Sequence, residues 1–324
     1  MKLSRHPAAS LAFAFALSTL GQACFAQAYP SKPLRFVVPY GAGGGPDVIA
    51  RVVGRKLAEN IGQQVIVDNR PGGGGIIATE HVAKSPADGY TILVGDTGPL
   101  GINPNLFPKL PYDPVKDFAP VTIAITSPLF MVANASLPIQ SVAQLIEYAR
   151  AKPGLPFGST GNGSAHHLGM ELFKLMTKVD MTHIPYKGVA QSVPAVLAGD
   201  ITVVFAALPS VLPHVKTGKL RLLGVATGTR TQFMPDVPSI AETVPGYEIT
   251  IDVGFLVPAG TPNEIVEKLH AEIVRVLRTP EIVQHLTTLG IIPVGSSPQQ
   301  YAETIRADLS KFRKLVKESG ARVD

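Results

Sequence analysis

The chain has 324 residues, a length typical of about two domains, and its 29 Lys and Arg against 24 Asp and Glu give a formal charge of +5. This charge is too small, and the basic residues are too dispersed, for a nucleic-acid-binding protein, which needs a clustered basic face. Hydrophobic residues make up 45% of the chain, enough for a large core, while the single cysteine excludes disulfide frameworks, thiolate metal sites and cysteine catalysis.

Residues 1–28 have the organisation of a secretory signal peptide. Lys2 and Arg5 precede an apolar stretch at residues 8–20, and small residues follow it. The stretch is shorter than the about 20 apolar residues that a transmembrane anchor needs. The sequence therefore predicts a protein that works outside the cytoplasm.

The segment contains two possible cleavage positions and one possible lipidation site. Cleavage after Ala26 or after Ala28 satisfies the preference for small residues, and both remain open. Lipidation of Cys24 is an alternative, but Gly21 stands three residues before it, where an aliphatic residue is usual. A mature chain without cysteine is the main expectation.

From residue 30, short β-branched segments alternate with segments of helical periodicity, which predicts strand–helix–strand units on a parallel sheet. Asp47 is predicted to be the N-cap of the first helix, which ends near Gly62. This order is typical of a doubly wound half-domain, with its functional loops at the carboxyl ends of the strands. Strands are predicted at residues 34–38, 65–67 and 91–95, and a second helix at residues 76–84.

The same order restarts after Pro128. Strands are predicted at residues 129–133, 156–159, 179–184, 201–205, 222–226 and 248–257, and helices at 142–151, around His167, and at 264–277, 281–289 and 298–320. The predicted fold class is α/β, with two lobes, each a doubly wound sheet flanked by helices, joined by a two-strand hinge. Residues 29–125 and 251–324 would form the first lobe, and residues 126–250 the second.

Two glycine-rich segments each follow a predicted strand and precede a predicted helix. They are residues 40–47 and residues 158–164. Backbone N–H groups at a helix start attract anions, and the serine and threonine hydroxyls of the second segment add donors. The first is not a phosphate-binding P-loop, because no Lys-Ser or Lys-Thr follows, and the second lacks the Gly-x-Ser-x-Gly of an esterase elbow. The alternative is a tight turn, with Asp47 or Ser164 merely capping a helix.

Histidines and one tyrosine–lysine pair are further candidates. The adjacent His166 and His167 point about 100° apart on a helix, so they cannot chelate one metal from the same face. Neither they nor His183 has metal-ligand spacing, and no metal or cofactor is predicted. Tyr186 and Lys187 follow a predicted strand and could face a cleft, although a solvated surface lysine is the usual case.

Asp252 is a lone acid in an apolar predicted strand. Alternation places it on one face with Thr250 and Gly254, and we expect this face to point into the hinge cleft. A buried carboxylate needs a partner, which would be a cationic group of the ligand or a donor of the protein itself. The second alternative assigns Asp252 to the scaffold.

Short motifs in a fixed order run from residue 29 to about residue 320. They are YPSKP at 29–33, VPYGAGG at 38–44, VDNRPG at 67–72, DGYT at 88–91, NP at 103–104, YDP at 112–114, GNGS at 161–164, PYKG at 185–188, PDVP at 235–238 and PAGTP at 258–262. Each is weak alone, but the set resembles the Bug or TctC extracytoplasmic solute receptors, which serve tripartite tricarboxylate transporters.

The resemblance implies a two-lobed Venus-flytrap fold, a monomer without cofactor, that closes on a small organic carboxylate and delivers it to membrane transporter subunits. In this family the loop after the first strand typically holds a ligand carboxylate. Many members carry an aromatic residue where this chain has Asp252. The implied ligand-binding residues, with Asp252 added, are Tyr40, Gly43, Gly44, Asp47, Ser159, Gly161, Asn162, Gly163, Ser164, His167, Tyr186, Phe205, Ala206 and Asp252.

The sequence thus favours a periplasmic binding protein with no catalytic residue, and it leaves the identity of the carboxylate open. A secreted hydrolase using Ser164 and His167 is the rival, weakened by the missing elbow and by the lack of an acid–base pair. A ligand-sensing partner of a membrane signalling protein would share the same fold.

Overall fold

The computed structural model describes residues 29–322. The predicted signal peptide at residues 1–28, with Cys24 and both cleavage positions, lies outside the described residues. Lys32 begins a compact unit that runs to the end of the chain, and the fold described below belongs to it. No helix in the described part of the chain is long and apolar enough to cross a membrane.

Six strands build the first sheet: β1 (Leu34–Val38), β2 (Val65–Asn69), β3 (Thr91–Asp96), β4 (Phe118–Pro128), β10 (Thr250–Pro258) and β11 (Ile292–Pro293). Their order across the sheet is β11-β4-β10-β3-β1-β2. β1 runs parallel to both β2 and β3, whereas β10 is antiparallel to β3 and β4. The carboxyl ends of β1, β2 and β3 therefore meet at one edge.

Five strands build the second sheet: β5 (Phe130–Asn134), β6 (Leu155–Ser159), β7 (Met181–Pro185), β8 (Val203–Ala206) and β9 (Leu220–Val225). Their order is β7-β6-β8-β5-β9. β6 runs parallel to β7 and β8, and β5 is antiparallel to β8 and β9. Two sheets of this kind, each with parallel strands and crossover helices, confirm the predicted α/β fold class.

Helices cover both sheets. They are α1 (Gly45–Ile61), α2 (Ile76–Ala83), α3 (Asn103–Leu106), α4 (Val142–Ala151), α5 (Ala165–Thr177), α6 (Val189–Ala198), α7 (Leu208–Lys216), α8 (Asn263–Leu277), α9 (Pro280–Thr288) and α10 (Pro298–Ser319). A π-helical turn at Gly98–Ile102 leads directly into α3. The sequence patterns did not predict α6 and α7, which contain Pro194 and Pro213, because an internal proline usually ends a helix.

The prediction of Asp47 as the N-cap of α1 is wrong. Gly44 is the N-cap, and Asp47 is the third residue of the helix. Pro46 fits the second position because a backbone N–H there would have no partner within the helix. The carboxylate of Asp47 instead reaches back over the helix start, where its Oδ2 accepts the Gly43 N–H at 2.9 Å.

The last helix packs against both sheets. Tyr301 and Ile305 of α10 belong to a buried cluster with side chains of β1 and β3, whereas Phe312 and Leu315 join the main core of the second sheet. These four residues recur at the spacing of one helical face. Residues 251–324 were predicted to belong to the first lobe, but α10 contributes to both cores.

The chain passes between the sheets in two segments. β4 ends at Pro128 just before β5 begins, and the second segment runs from the end of β9 to the start of β10. Ala226 donates its N–H to the carbonyl oxygen of Leu129, and Ile249 donates to the carbonyl oxygen of Ala226. Backbone hydrogen bonds thus tie the two crossing segments together.

Candidate functional site

A cavity of about 470 Å³ opens between the loops of the two sheets. The first sheet and its connections contribute Tyr40, Gly74, Asp96, Thr97, Gly98, Ile102, Asn103, Leu106, Phe107 and Ile251, and the second sheet contributes residues 160–166. This volume suits a small organic molecule. The lining combines apolar side chains with hydroxyl, amide and backbone N–H groups.

The glycine loop after β1 is held by Asp47, which is only 2% exposed. Asp47 accepts hydrogen bonds from the Gly43 N–H, from Arg51 Nε at 3.0 Å and from Asn69 Nδ2 at 2.9 Å. Burial raises the pKa of Asp47, but these hydrogen bonds outweigh it and hold the pKa below its ordinary value. Contrary to the prediction, Gly43, Gly44 and Asp47 do not line the cavity, and the Asp47 carboxylate bonds to Gly43, Arg51 and Asn69 instead.

Tyr40 does line the cavity, together with an acid that the sequence reasoning missed. Its hydroxyl donates to Asp96 Oδ1 at 2.9 Å, and the Gly98 N–H donates to the same oxygen at 3.0 Å. Burial raises the pKa of Asp96 to about 6, although both hydrogen bonds act in the opposite direction. Asp96 could have been found from the sequence because it directly follows the strand predicted at residues 91–95. Tyr40 likewise closely follows the strand predicted at residues 34–38.

The loop after β6 faces the cavity along residues 160–166, as predicted for Gly161, Asn162, Gly163 and Ser164. Ser164 is the N-cap of α5: its Oγ accepts the His167 N–H at 3.2 Å and donates to the Gly161 carbonyl oxygen at 2.8 Å. Gly161 has a φ of 131°, a conformation that favours glycine. The loop is therefore shaped by its own serine and glycines.

The histidine that faces the cavity is His166, not the predicted His167. His166 Nδ1 lies 3.0 Å from Thr160 Oγ1, while the His167 ring stacks on His183 with centroids 3.8 Å apart behind the loop. Burial lowers the pKa of His167 to about 3 and the pKa of His166 and His183 to about 4, so all three are neutral at pH 7. Ser159, also predicted to bind ligand, is fully buried and contacts His183.

Three more predicted residues lie outside the lining. Phe205 and Ala206 are fully buried and belong to different core clusters, so the end of β8 is covered by protein. Tyr186 packs its ring beside Gly158, where an added Cβ would lie 3.4 Å from the ring, and joins the core cluster that contains Ala206. These three residues therefore pack within the core of the second sheet.

Asp252 does not point into the cavity as predicted. Its Oδ1 accepts a hydrogen bond from Thr126 Oγ1 at 2.6 Å, and its N–H donates to Thr97 Oγ1 at 3.0 Å. Ile251, the preceding residue, lines the cavity instead. Side chains alternate along a strand, so the prediction chose the wrong face of β10. Asp252 lies in a separate depression with Glu248.

The geometry offers no nucleophile–base pair at Ser164. Its Oγ is used by the helix cap, and Nδ1 of His167 accepts the Gly163 N–H at 3.1 Å. Within residues 29–322, no three His, Cys, Asp or Glu side chains converge as a metal site. The site is therefore suited to binding a molecule through hydrogen bonds rather than to nucleophilic attack.

No Lys or Arg is among the residues that line the cavity, and Asp96 is the acidic side chain there. The neutral donors of the lining belong to Thr97, Thr160, Asn103, Asn162 and the backbone of the loop after β6. Asn103 Nδ2 also donates to the Gly74 carbonyl oxygen, and Thr160 Oγ1 lies 3.0 Å from His166 Nδ1. Such neutral donors solvate an anion without a compensating cation, as helix N-termini and glycine-rich loops do.

Two helix-flanked sheets with a cavity between their loops define a two-lobed binding protein. A family model described as "Tripartite tricarboxylate transporter family receptor" matches residues 49–321, and the chain belongs to this family. The chain is 39% identical to a UPF0065 protein from the tcbD-tcbE intergenic region of a Pseudomonas species, over 90% of this chain and 87% of the relative. Since these receptors are not enzymes, the prediction of a non-enzymatic binding protein is confirmed.

Solved structures agree with this assignment. An R. palustris protein whose structure contains adipate is 37% identical, with a TM-score of 0.81 over 91% of this chain and all of that one. MatC from Rhodopseudomonas palustris, with bound malate, is 30% identical, with a TM-score of 0.76 over 89% of this chain and all of that one. The periplasmic binding protein BugD is 27% identical, with a TM-score of 0.77 over 91% and 99% of the two chains.

Proposed function

We propose that this protein is a periplasmic solute-binding protein that captures a small organic carboxylate and presents it to the membrane subunits of a tripartite transporter. The observation that carries the proposal is the cavity of about 470 Å³, whose walls supply neutral hydrogen-bond donors from both sheets and no Lys or Arg. Neutral donors of this kind match the oxygens of a carboxylate.

The relatives support the chemical class. Two similar structures contain adipate and malate, both small dicarboxylates. BugD is a periplasmic binding protein, and the signal peptide predicted at residues 1–28 would direct this chain to the same compartment.

We assign ligand contacts to the cavity walls. Of the residues predicted from sequence, Tyr40, Gly161, Asn162, Gly163 and Ser164 take this role; Asp96, Thr97, Thr160 and His166 join them. The second loop supplies backbone and hydroxyl groups, whereas the first sheet supplies the Tyr40–Asp96 pair. The ligand would thus bridge the two lobes.

Ligand-driven closure of the lobes is part of the proposal. The lobes predicted at residues 29–125 with 251–324, and at residues 126–250, would approach each other through the two crossing segments. Small-angle X-ray scattering at ligand saturation should give a smaller radius of gyration. An unchanged radius, with binding confirmed by calorimetry, would refute closure and leave the assignment of the ligand intact.

A thermal-shift screen over mono-, di- and tricarboxylates tests the function. A ligand at 100 times its dissociation constant stabilises the folded state by about 2.7 kcal/mol, a readily measured shift. The matching amides and alcohols serve as controls and should give much smaller shifts. If no carboxylate raises the melting temperature at any pH between 5.5 and 8, the proposed function is wrong.

A further inference from the structure

The proposed function does not explain why the cavity wall contains the carboxyl group of Asp96. It lies at the carboxyl end of β3, is 7% exposed, and forms part of the cavity wall. An anionic ligand would have to enter a space whose wall already contains a carboxyl group. Such an arrangement repels a ligand carboxylate unless one of the two groups carries a proton.

The hydrogen bonds of Asp96 are all on one oxygen. Tyr40 Oη and the Gly98 N–H both donate to Oδ1, and none of the described residues donates to Oδ2. Because Oδ1 is engaged by two donors, Oδ2 is the oxygen left for a proton and for a ligand. Tyr40 and Gly98, which also line the cavity, fix the direction of the carboxyl group.

The phenols and the imidazole around Asp96 are neutral over the working pH range, while Asp252 and Asp308 also interact with one of these phenols, Tyr301. Tyr40 beside β1, Tyr112 before β4 and Tyr301 on α10 interact with it electrostatically, and burial raises the pKa of each phenol above its ordinary value. His166 in the opposite wall has a pKa of about 4. Asp96 is thus the lining side chain that titrates between pH 5 and 8, and burial, not a neighbouring charge, raises its pKa to about 6.

We propose that Asp96 is a specificity-determining residue that binds a dicarboxylate in its protonated form, donating a hydrogen bond from Oδ2 to one ligand carboxylate. The ligand enters as a dianion, the proton comes from solvent, and one proton is taken up for each ligand bound. The remaining carboxylate is left to the donors of the loop after β6. This inference rests on the proposed function, whose ligand class it narrows.

The chemistry favours proton uptake over pairing with a ligand ammonium. Burial already favours the neutral form of Asp96, and a ligand anion next to Oδ2 raises its pKa further. The ligands in the two similar structures, adipate and malate, have two carboxylates and no amine. An ammonium would instead require an ionised Asp96, and its binding would strengthen as the pH rises.

Calorimetry of the wild-type protein with adipate tests the proposal without a variant. Adipate is a dianion between pH 6.5 and 8, so we expect its dissociation constant to rise by about tenfold over this range. Titrations at pH 7.5 in phosphate and in Tris, which differ in ionisation enthalpy, should show net uptake of more than half a proton per ligand. A pH-independent dissociation constant with no proton uptake would overturn the proposal.

Asp96→Asn separates proton uptake from a structural role. The amide keeps an acceptor for Tyr40 and Gly98 and presents a permanent N–H donor, so adipate affinity should stay within about threefold of the wild-type value at pH 6.5 and no longer depend on pH. Asp308→Asn is the matched control, because burial raises the pKa of Asp308 to about 6 as well, but it lies on α10 outside the cavity lining. It should retain the wild-type pH dependence.

Other ligands give the remaining outcomes. Hexanoate, which lacks the second carboxylate, should bind weakly at every pH. If only monocarboxylates bind, or if 2-aminoadipate binds more tightly as the pH rises, this inference is wrong and the proposed function stands. If no carboxylate binds, including succinate, malate, glutarate and adipate, both this inference and the proposed function are wrong.

Discussion

The two glycine-rich loops resemble each other in sequence but differ in use. In the loop before α1, residues 41–44, most of the glycines are exposed, and none of them lines the cavity. The loop before α5, residues 160–164, lines the cavity along its whole length. Both follow the carboxyl end of a strand, so position in the sheet does not explain the difference.

The charge at each helix start does explain it. Asp47 in the first turn of α1 is ionised and lies over the N-terminus, where it satisfies the Gly43 N–H and offsets the helix dipole. The first turn of α5 has no acid, and the side chain that accepts the Gly163 N–H is the neutral His167. An anion is therefore favoured at α5, and a glycine-rich helix start attracts ligand only when the protein has not already placed a carboxylate there.

The largest effect should come from Gly161→Ala in the second loop. Gly161 has a φ of 131°, where an added Cβ costs about 1–3 kcal/mol in strain, and its carbonyl oxygen holds Ser164 Oγ. We expect adipate affinity to fall by more than tenfold as the loop changes shape. Calorimetry measures the affinity, and chemical denaturation measures the stability.

Gly199→Ala is the control for strain. Gly199 ends α6 with a φ of 87°, and nothing lies within 4 Å of an added Cβ. It should lower stability to a similar degree while leaving adipate affinity unchanged. Equal losses of affinity in both variants would mean that general destabilisation, not the loop, controls binding.

Asp47→Ala should lower stability without lowering ligand affinity, unlike Gly161→Ala. Removing the carboxylate leaves the Gly43 N–H without its acceptor and takes one acceptor each from Asn69 and Arg51, which should lower the free energy of unfolding by about 2–3 kcal/mol. Asn69 Nδ2 keeps the Tyr40 carbonyl oxygen, and Arg51 keeps Asn69 Oδ1. Ligand-induced stabilisation should persist because Asp47 does not touch the cavity. Urea unfolding with and without adipate measures both quantities. A selective loss of ligand affinity would show that Asp47 takes part in ligand binding.

Ser164→Ala should have an intermediate effect. Loss of the N-cap of α5 costs about 1 kcal/mol, and the Gly161 carbonyl oxygen keeps only one of its two hydroxyl donors, Ser159 Oγ. Ser141→Ala, at the N-cap of α4, should cost about the same stability without affecting adipate binding. Thermal melts and calorimetry on the pair separate the cap from the ligand contact. Unchanged adipate affinity in Ser164→Ala would show that Ser164 caps α5 but does not contribute to ligand binding.

Local signals in the sequence predicted most of the fold. β1 and α4 have the predicted bounds, because apolar alternation and helical spacing are properties of neighbouring residues. β4 was not predicted. Pro120 argues against a strand, but it lies beside a register shift, where the ladder tolerates the missing N–H.

The site was less predictable, since its contacts join distant parts of the chain. Tyr40 and Asp96 are 56 residues apart and meet only because β1 and β3 are neighbours in the sheet. Asp252 was assigned to the cleft by alternation alone, which gives two faces but not which of them meets the cavity. A one-residue difference, Ile251 in place of Asp252, changes the predicted ligand chemistry.

The smallest effect should come from Gly44→Ser in the first loop, at the N-cap of α1. Gly44 has an extended backbone (φ −72°, ψ 163°) that any residue adopts, and an added Cβ would lie 3.5 Å from the Gly41 carbonyl oxygen, an ordinary contact. Serine is also a favoured N-cap residue, so stability should change by only a few tenths of a kcal/mol, and adipate affinity should stay within about twofold of wild type. Gly44→Val should also leave adipate affinity unchanged, because residue 44 does not line the cavity. If either substitution abolished binding at full stability, the loop after β1 would be an anion site after all, and the electrostatic distinction between the two helix starts would be wrong.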